Sequence, residues 1–223
     1  MFKQLVSDSV NRLPLVNNFF KYRGHIRGLP KSFRTYVSEL PPKAVVVDVG
    51  ANVGHVSRFL ASRSLIVHSF EPGNRASAEL RLVARKYSNV TVYPVAAGVK
   101  DGHSKLYLHV SENTSRQDLT QASSLLSDKP NVDETNYEIV ETIDFARFLK
   151  SLNARVSLIK IDIEGFEIEL INHLLDSGCL ERIDKIFVET HEKKWPSMRV
   201  PTLLLKNRVR EMNLVDKIRF DWT

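Results

Sequence analysis

Apolar residues along this chain follow two rhythms. Short runs rich in β-branched residues recur at Val45–Val49, Leu65–Phe70, Val90–Ala96, Val156–Ile163 and Lys185–Glu192. They read as strands, the first a fully buried parallel one. Between them apolar residues fall at helical spacing, as in Ala76, Leu80, Val83, Ala84 and Tyr87, which places helices at about 54–63, 74–87, 145–152, 166–177 and 200–212. Strands alternating with helices specify an α/β fold: a Rossmann-like, doubly wound, mostly parallel sheet with flanking helices. Crossovers are right-handed, so the strand tips line up on one edge. Residues 214–222 read as a last strand.

Two stretches break the rhythm. Residues 1–43 read as a basic N-terminal helical extension, interrupted near Pro14 and Gly28-Leu29-Pro30 and ended by Pro41-Pro42. Phe19, Phe20, Tyr22, Phe33, Tyr36 and Val37 are its candidate packing residues. Residues 44–223 form the main domain. Within it, about 99–143 is a small β insertion after the third strand. Lys105–Val110 and Tyr137–Thr142 alternate as strands there, and 111–135 between them is either a surface loop or a lid or substrate wall.

Composition bounds the rest. The 223 residues are 43% hydrophobic and 26% charged, enough for one core. Cys179 is the single cysteine, so there is no internal disulfide. No apolar run is long enough to span a bilayer, and Asp8 and Arg12 interrupt the apolar residues at the start, so the expected location is cytoplasmic. The net charge of +6 belongs entirely to the extension, where eight Lys and Arg face only Asp8 and Glu39. Such an arm can serve as a solvated layer, meet an anionic substrate, or make a peripheral membrane contact.

The chemistry begins at Val45–Gly54. A strand breaks into the spacing Asp48-x-Gly50-x-x-x-Gly54 and then enters a helix. Glycines let a ligand approach the main chain, and loop and first-turn N–H groups are expected to meet it. This is not the dinucleotide fingerprint. Asp48 would repel a pyrophosphate and attract an ammonium. Glu71 ends the second strand 17 residues past Gly54, with Pro72 next. A carboxylate there can accept both hydroxyls of a ribose. The pair points to an adenosine-bearing ligand.

A second polar cluster lies at Lys160-Ile161-Asp162-Ile163-Glu164-Gly165. Lys160, Asp162 and Glu164 alternate with isoleucines and share one face, which is costly for a central strand unless the charges are paired or at its end. If the strand holding Glu189 and His191 lies alongside, Glu189 is expected to neutralise Lys160, and His191 to approach Asp162.

With these pieces in place, the chain resembles the class I S-adenosylmethionine-dependent methyltransferases and, more narrowly, the FkbM-type methyltransferase family. The matching residues are Val47–Gly54, Phe70-Glu71-Pro72, Ala97-Gly98, Ser123-Ser124-Leu125, Glu141–Asp144, Lys160–Glu167 and Val188–His191. The resemblance implies S-adenosyl-L-methionine as methyl donor and an O-methylated hydroxyl on a sugar, glycan or secondary metabolite as acceptor. It implies Asp48, Gly50, Asn52, Gly54, Glu71, Pro72 and Ala97 as donor-binding positions. A hydroxyl acceptor calls for a general base, and His191 or Asp162 is the candidate, with the other orienting it. Class I enzymes usually end in two strands, one antiparallel; only one is legible here after the last helix.

Three rivals are weighed against this. Asp162, Glu164 and Glu192 offer oxygen ligands to a divalent cation, although the spacing does not require one. An RNA ribose methyltransferase would use the basic arm, but the arm lacks interleaved aromatic and basic residues. A non-catalytic adenosine-binding module would be expected to have its pocket blocked. The acceptor, the function of the arm and the oligomeric state stay open.

Overall fold

A computed structural model of the protein describes residues 22, 24–109, 123–127, 129–130 and 132–222. Phe19 and Phe20, and most of the 111–135 loop, lie outside the described residues.

A six-stranded sheet organises the molecule, in the order β3-β2-β1-β7-β8-β9. Its strands are β1 (Val45–Val49), β2 (Ile66–Phe70), β3 (Val90–Tyr93), β7 (Val156–Ile161), β8 (Ile186–Glu189) and β9 (Ile218–Trp222). Every adjacent pair is parallel. The helices are α1 (Lys31–Glu39), α2 (His55–Ala61), α3 (Asn74–Lys86), α4 (Phe145–Ser151), α5 (Glu167–Ser177) and α6 (Arg199–Glu211).

Side-chain alternation along the strands divides the core in two. Val47, Val49, Ile159 and Ile161 face one way, onto Phe145 and Leu149 of α4 and Leu170, Ile171 and Leu174 of α5. Val46, Val67, Leu158 and Phe187 face the other way, onto Val56, Phe59 and Leu60 of α2. Phe33 and Val37 of α1 complete that second layer. The Phe33 ring is fully buried, with its centroid 4.6 Å from Trp222 and 5.3 Å from Phe187. The last helix of the basic extension is thus a core helix of the sheet.

The insertion forms a sheet of its own, β4-β6-β5, from β4 (Ala96–Gly98), β5 (Gly102–His109) and β6 (Val132–Asp144). The third strand, read as running to Ala96, ends at Tyr93. The chain then breaks at Pro94, which cannot donate to a ladder, and β4 pairs instead with the end of β6. Asp144 caps α4, accepting the Arg147 N–H at 3.0 Å, as its sequence position implies.

The chain ends in a single strand, β9, parallel to β8. The stretch before α6 holds only a short 3-10 turn, Pro196–Met198. Among the described residues, the stretch after α6 therefore contributes one strand to this edge of the sheet. No described helix is long and apolar enough to cross a membrane.

Candidate functional site

The tips of β1, β2, β4 and β7 surround a cavity of about 410 Å³. Val49–Val53 form one wall, and Glu71 and Pro72 the next. Ala96 and Ala97 also line it, together with Leu106, Ser123 and Leu125 of the insertion. Lys160, Asp162, Glu164 and Glu189 complete the polar side. The sequence reading missed one wall: His25, Gly28, Leu29 and Pro30, from the segment preceding α1, also line the cavity. Gly28-Leu29-Pro30 had signalled only a helix break. The His25 ring packs on His55 with centroids 5.0 Å apart. Burial, with help from the Lys160 charge, lowers its pKa.

Gly50 is required where it stands. Its φ is +73°, and a Cβ there would lie 1.8 Å from the carbonyl oxygen of Asp162. The loop after β7 crosses directly over it, held by Asp162 N–H to the Val49 carbonyl at 3.1 Å. Gly54 caps α2 at φ +85°, and a Cβ there would meet Leu80 and Val83 of α3 within 3 Å. Its job is helix packing, and it is not among the residues lining the cavity.

The amides of this loop are consumed in building it. Gly50 and Ala51 both donate to the Phe70 carbonyl, at 3.1 and 2.9 Å. Asn52 N–H donates to Glu71 Oε2 at 2.8 Å, Val53 N–H to Asn52 Oδ1 at 2.6 Å, and Gly54 N–H to the Ala51 carbonyl at 2.9 Å. The expectation that loop N–H groups meet the ligand therefore does not hold for 50–54. Each is committed to a protein acceptor, and breaking such a bond costs what a new one returns.

Asp48 differs from its expected place as well. It is fully buried and absent from the cavity wall. Its Oδ2 accepts the Ser57 hydroxyl at 2.6 Å, and Oδ1 lies 3.3 Å from Lys160 Nζ. The reason is register: β1 and β7 place Asp48 directly beside Lys160. Lys160 Nζ also donates to the Gly50 carbonyl at 2.7 Å and sits 3.6 Å from Asp162 Oδ2. Burial alone would lower the lysine pKa, but the Asp48 and Asp162 carboxylates outweigh it and raise it. The Asp48 carboxylate is thus paired inside the protein and offers no direct contact to an ammonium in the cavity.

The expected Glu189–Lys160 pair is also corrected, because Lys160 lies opposite Phe187 in β8. Glu189 falls further along, beside Asp162. Burial and that neighbouring carboxylate raise its pKa to about 7.

Glu71 stands where the strand–turn pattern places it. Oε2 holds the Asn52 amide and Oε1 the Gly73 amide at 2.9 Å. Each oxygen keeps one acceptor site. Burial raises its pKa to about 7, against the pull of the two amides and Lys160.

His191 comes close to Asp162, with Nε2 3.9 Å from Oδ1, and closer to Glu164 Oε2 at 3.3 Å. Its firm partner is one the sequence reading did not assign. Nδ1 is 2.8 Å from Glu167 Oε1, and Glu167 Oε2 accepts the Gly165 N–H at 2.7 Å. Burial works against the imidazolium, but Glu167, Glu164 and Asp162 together push the pKa up to about 9. His191 therefore holds its proton at neutral pH and lies behind the cavity wall, whereas Asp162 forms part of that wall. Glu192, read as a cation ligand, instead accepts Lys206 Nζ at 2.7 Å. Glu164 accepts Lys129 Nζ at 2.7 Å, and Ser124 donates to the Glu164 carbonyl at 2.7 Å, tying the insertion to the site.

Comparison with known proteins locates this arrangement in a family. The chain is 27% identical over 194 residues to AMB antimetabolite synthetase AmbE of Pseudomonas aeruginosa, covering 70% of this chain but 9% of that protein. It is 22% identical over 184 residues to Methyltransferase 1 of Beauveria bassiana, covering 75% of this chain and 73% of that one. Among solved structures, human methyltransferase 10 domain containing protein aligns with a TM-score of 0.41 at 10% identity, over 90% of this chain and 72% of that chain. The family model described as "Methyltransferase FkbM domain" matches residues 48–213, from the buried Asp48 through both polar clusters. The chain belongs to the FkbM methyltransferase domain family.

Proposed function

We propose that this protein transfers the methyl group of S-adenosyl-L-methionine to a hydroxyl of a sugar, glycan or secondary metabolite. The observation that carries the reading is Glu71, a buried carboxylate at the tip of β2 on the wall of a cavity in an FkbM-family chain. The cavity, about 410 Å³, falls within the range of small-molecule sites. Its residues fit the donor. Glu71 Oε1 and Oε2 each retain an acceptor site for a ribose hydroxyl. Val49, Pro72, Ala96, Ala97 and Leu106 supply apolar surface for a purine.

The donor brings an electrophilic methyl group, so the protein's contribution is chiefly positioning and removal of the acceptor proton. Asp162, on the wall, is placed to receive that proton. His191 acts through it as an imidazolium, held by Glu167 and oriented toward Asp162 and Glu164. Lys160 keeps the Gly50 turn and Asp162 in mutual register. Ser123 and Leu125 of the insertion and His25 of the segment before α1 also line the cavity, as candidates to meet the acceptor. An open cavity supports an enzyme over a binding module with a blocked pocket.

Calorimetric titration of S-adenosylhomocysteine tests the reading, with Glu71→Ala as the variant. Binding that is lost in the variant supports it. No binding to the intact chain at millimolar ligand would overturn it. Mass spectrometry of hydroxylated acceptors then identifies the methylated class.

A further inference from the structure

We propose that Asp162, Glu164 and His191 form a binding site for one divalent cation of the manganese-to-zinc class, set into the cavity wall. One ligand atom from each residue can be chosen so that all three lie within 4.8 Å of one another. Modest contraction around an ion would bring them to ordinary coordination distances.

The acidic pair alone would not make a site; His191 does. Its side chain is 4% exposed, and its Nε2 is buried without a hydrogen-bond partner among the described residues. That nitrogen is aimed at the two carboxylates, 3.3 Å from Glu164 Oε2 and 3.9 Å from Asp162 Oδ1. The other ring nitrogen is fixed by Glu167 Oε1 at 2.8 Å. A carboxylate on the rear nitrogen is the arrangement that orients metal-binding imidazoles and raises their basicity.

The donor set decides the class of ion. Two carboxylates and one imidazole suit borderline divalent metals better than magnesium or calcium, which take oxygen. An ion here takes the place of the proton on Nε2, so that with the ion bound His191 is a neutral ligand and Asp162 coordinates the ion instead of receiving the acceptor proton. It must also share Glu164 with Lys129, or use the carboxylate oxygen that Lys129 leaves open. Asp162 and Glu164 line the cavity, so the remaining coordination positions open toward it. There the ion would bind and acidify an acceptor hydroxyl. That role, though not the binding, rests on the methyl-transfer reading above.

The test uses untagged, full-length protein titrated with Mn2+ and followed by electron paramagnetic resonance, with pulsed detection of nitrogen coupled to the metal. One ion per chain with imidazole nitrogen coupling is expected. Asp162→Asn should weaken binding at least about tenfold. Lys129→Met should tighten it by removing the competing cation. Glu192→Gln, whose wild-type carboxylate pairs with Lys206, should leave affinity unchanged. His191→Gln should abolish the nitrogen coupling. If that variant does not fold, Asp162→Asn and the nitrogen signal of the unaltered protein still decide. Failure to retain Mn2+ or Zn2+ at millimolar concentration, bound Mn2+ without nitrogen coupling, or equal affinity in Asp162→Asn would each overturn the site. S-adenosylhomocysteine binding to chelated protein separates the two readings: if it persists without any metal binding, only the cation proposal falls.

Discussion

Lys160 and Asp48 stand side by side on neighbouring parallel strands, with Nζ 3.3 Å from Oδ1 and both side chains buried. The pair sits under the Gly50 turn, and Lys160 also holds the Gly50 carbonyl at 2.7 Å. Breaking such a pair leaves an uncompensated charge in the interior, which costs about 3–5 kcal/mol. Lys160→Met should lower unfolding stability by that order in urea titration. Lys160→Met combined with Asp48→Leu should recover much of the loss, since Ser57 and Ser69 can bond each other at 2.9 Å. A double variant no more stable than the single one would show that the carboxylate itself organises the turn.

Gly50 and Gly178 have nearly the same backbone conformation, φ +73° and +70°, but different surroundings. Alanine at Gly178 meets nothing within 4 Å. Gly178→Ala should cost only the left-handed penalty, about 1–2 kcal/mol. Gly50→Ala adds a collision with the Asp162 carbonyl, so it should destabilise by several kcal/mol or displace the loop after β7. Thermal unfolding of the two variants side by side measures the difference. Equal losses would mean that the loop yields freely.

If Glu71 holds the donor as proposed, binding should depend on pH. Its folded pKa, about 7, lies above the ordinary value of 4.5. Its contribution to stability is therefore fully present below the unfolded value and is lost as pH rises through about 7. Ligand hydroxyls need the ionised form, so binding runs the other way. S-adenosylhomocysteine should bind up to about tenfold more tightly at about pH 8 than at about pH 6. Lys160 and Asp48 also act on Glu71, the first lowering and the second raising its pKa. In Glu71→Gln, weaker binding should persist without the pH dependence. Calorimetry in buffers of different ionisation enthalpy would register the released proton.

Asp144 joins the insertion to the main sheet by capping α4 and accepting His173 Nε2 at 2.8 Å. Burial acts to raise its pKa, but His173 and the Arg147 amide prevail and lower it. Its stabilisation is present above the unfolded aspartate pKa and disappears as pH falls through the lower folded value. Asp144→Ala should cost about 1 kcal/mol at neutral pH, and the deficit should vanish in strong acid.

The order of strands and helices was legible because each strand carries its own pattern. Val45–Val49 and Val156–Ile161 carry apolar residues on both faces, interrupted by Asp48, Ser157 and Lys160, as a sheet covered on both sides demands. Glu71 was legible for a related reason: its place depends only on a strand ending at Pro72 within one strand–helix–strand unit. Asp144 was legible as a cap because capping is set by the nearest three residues.

What only the tertiary structure decided is which charges meet. The sequence shows Lys160 and three carboxylates near it in pattern, but sheet register chose Asp48 and left Glu189 beside Asp162. His191 was expected against Asp162, yet its closest bond is to Glu167, the first residue of α5, which no strand periodicity could reveal. The wall built by His25–Pro30 was hidden because nothing local marks where a helix break will dock. Local pattern determines which elements form and where they end. Partners far apart in sequence are settled when strands choose neighbours and register, and the polar chemistry of this cavity is made of such partners.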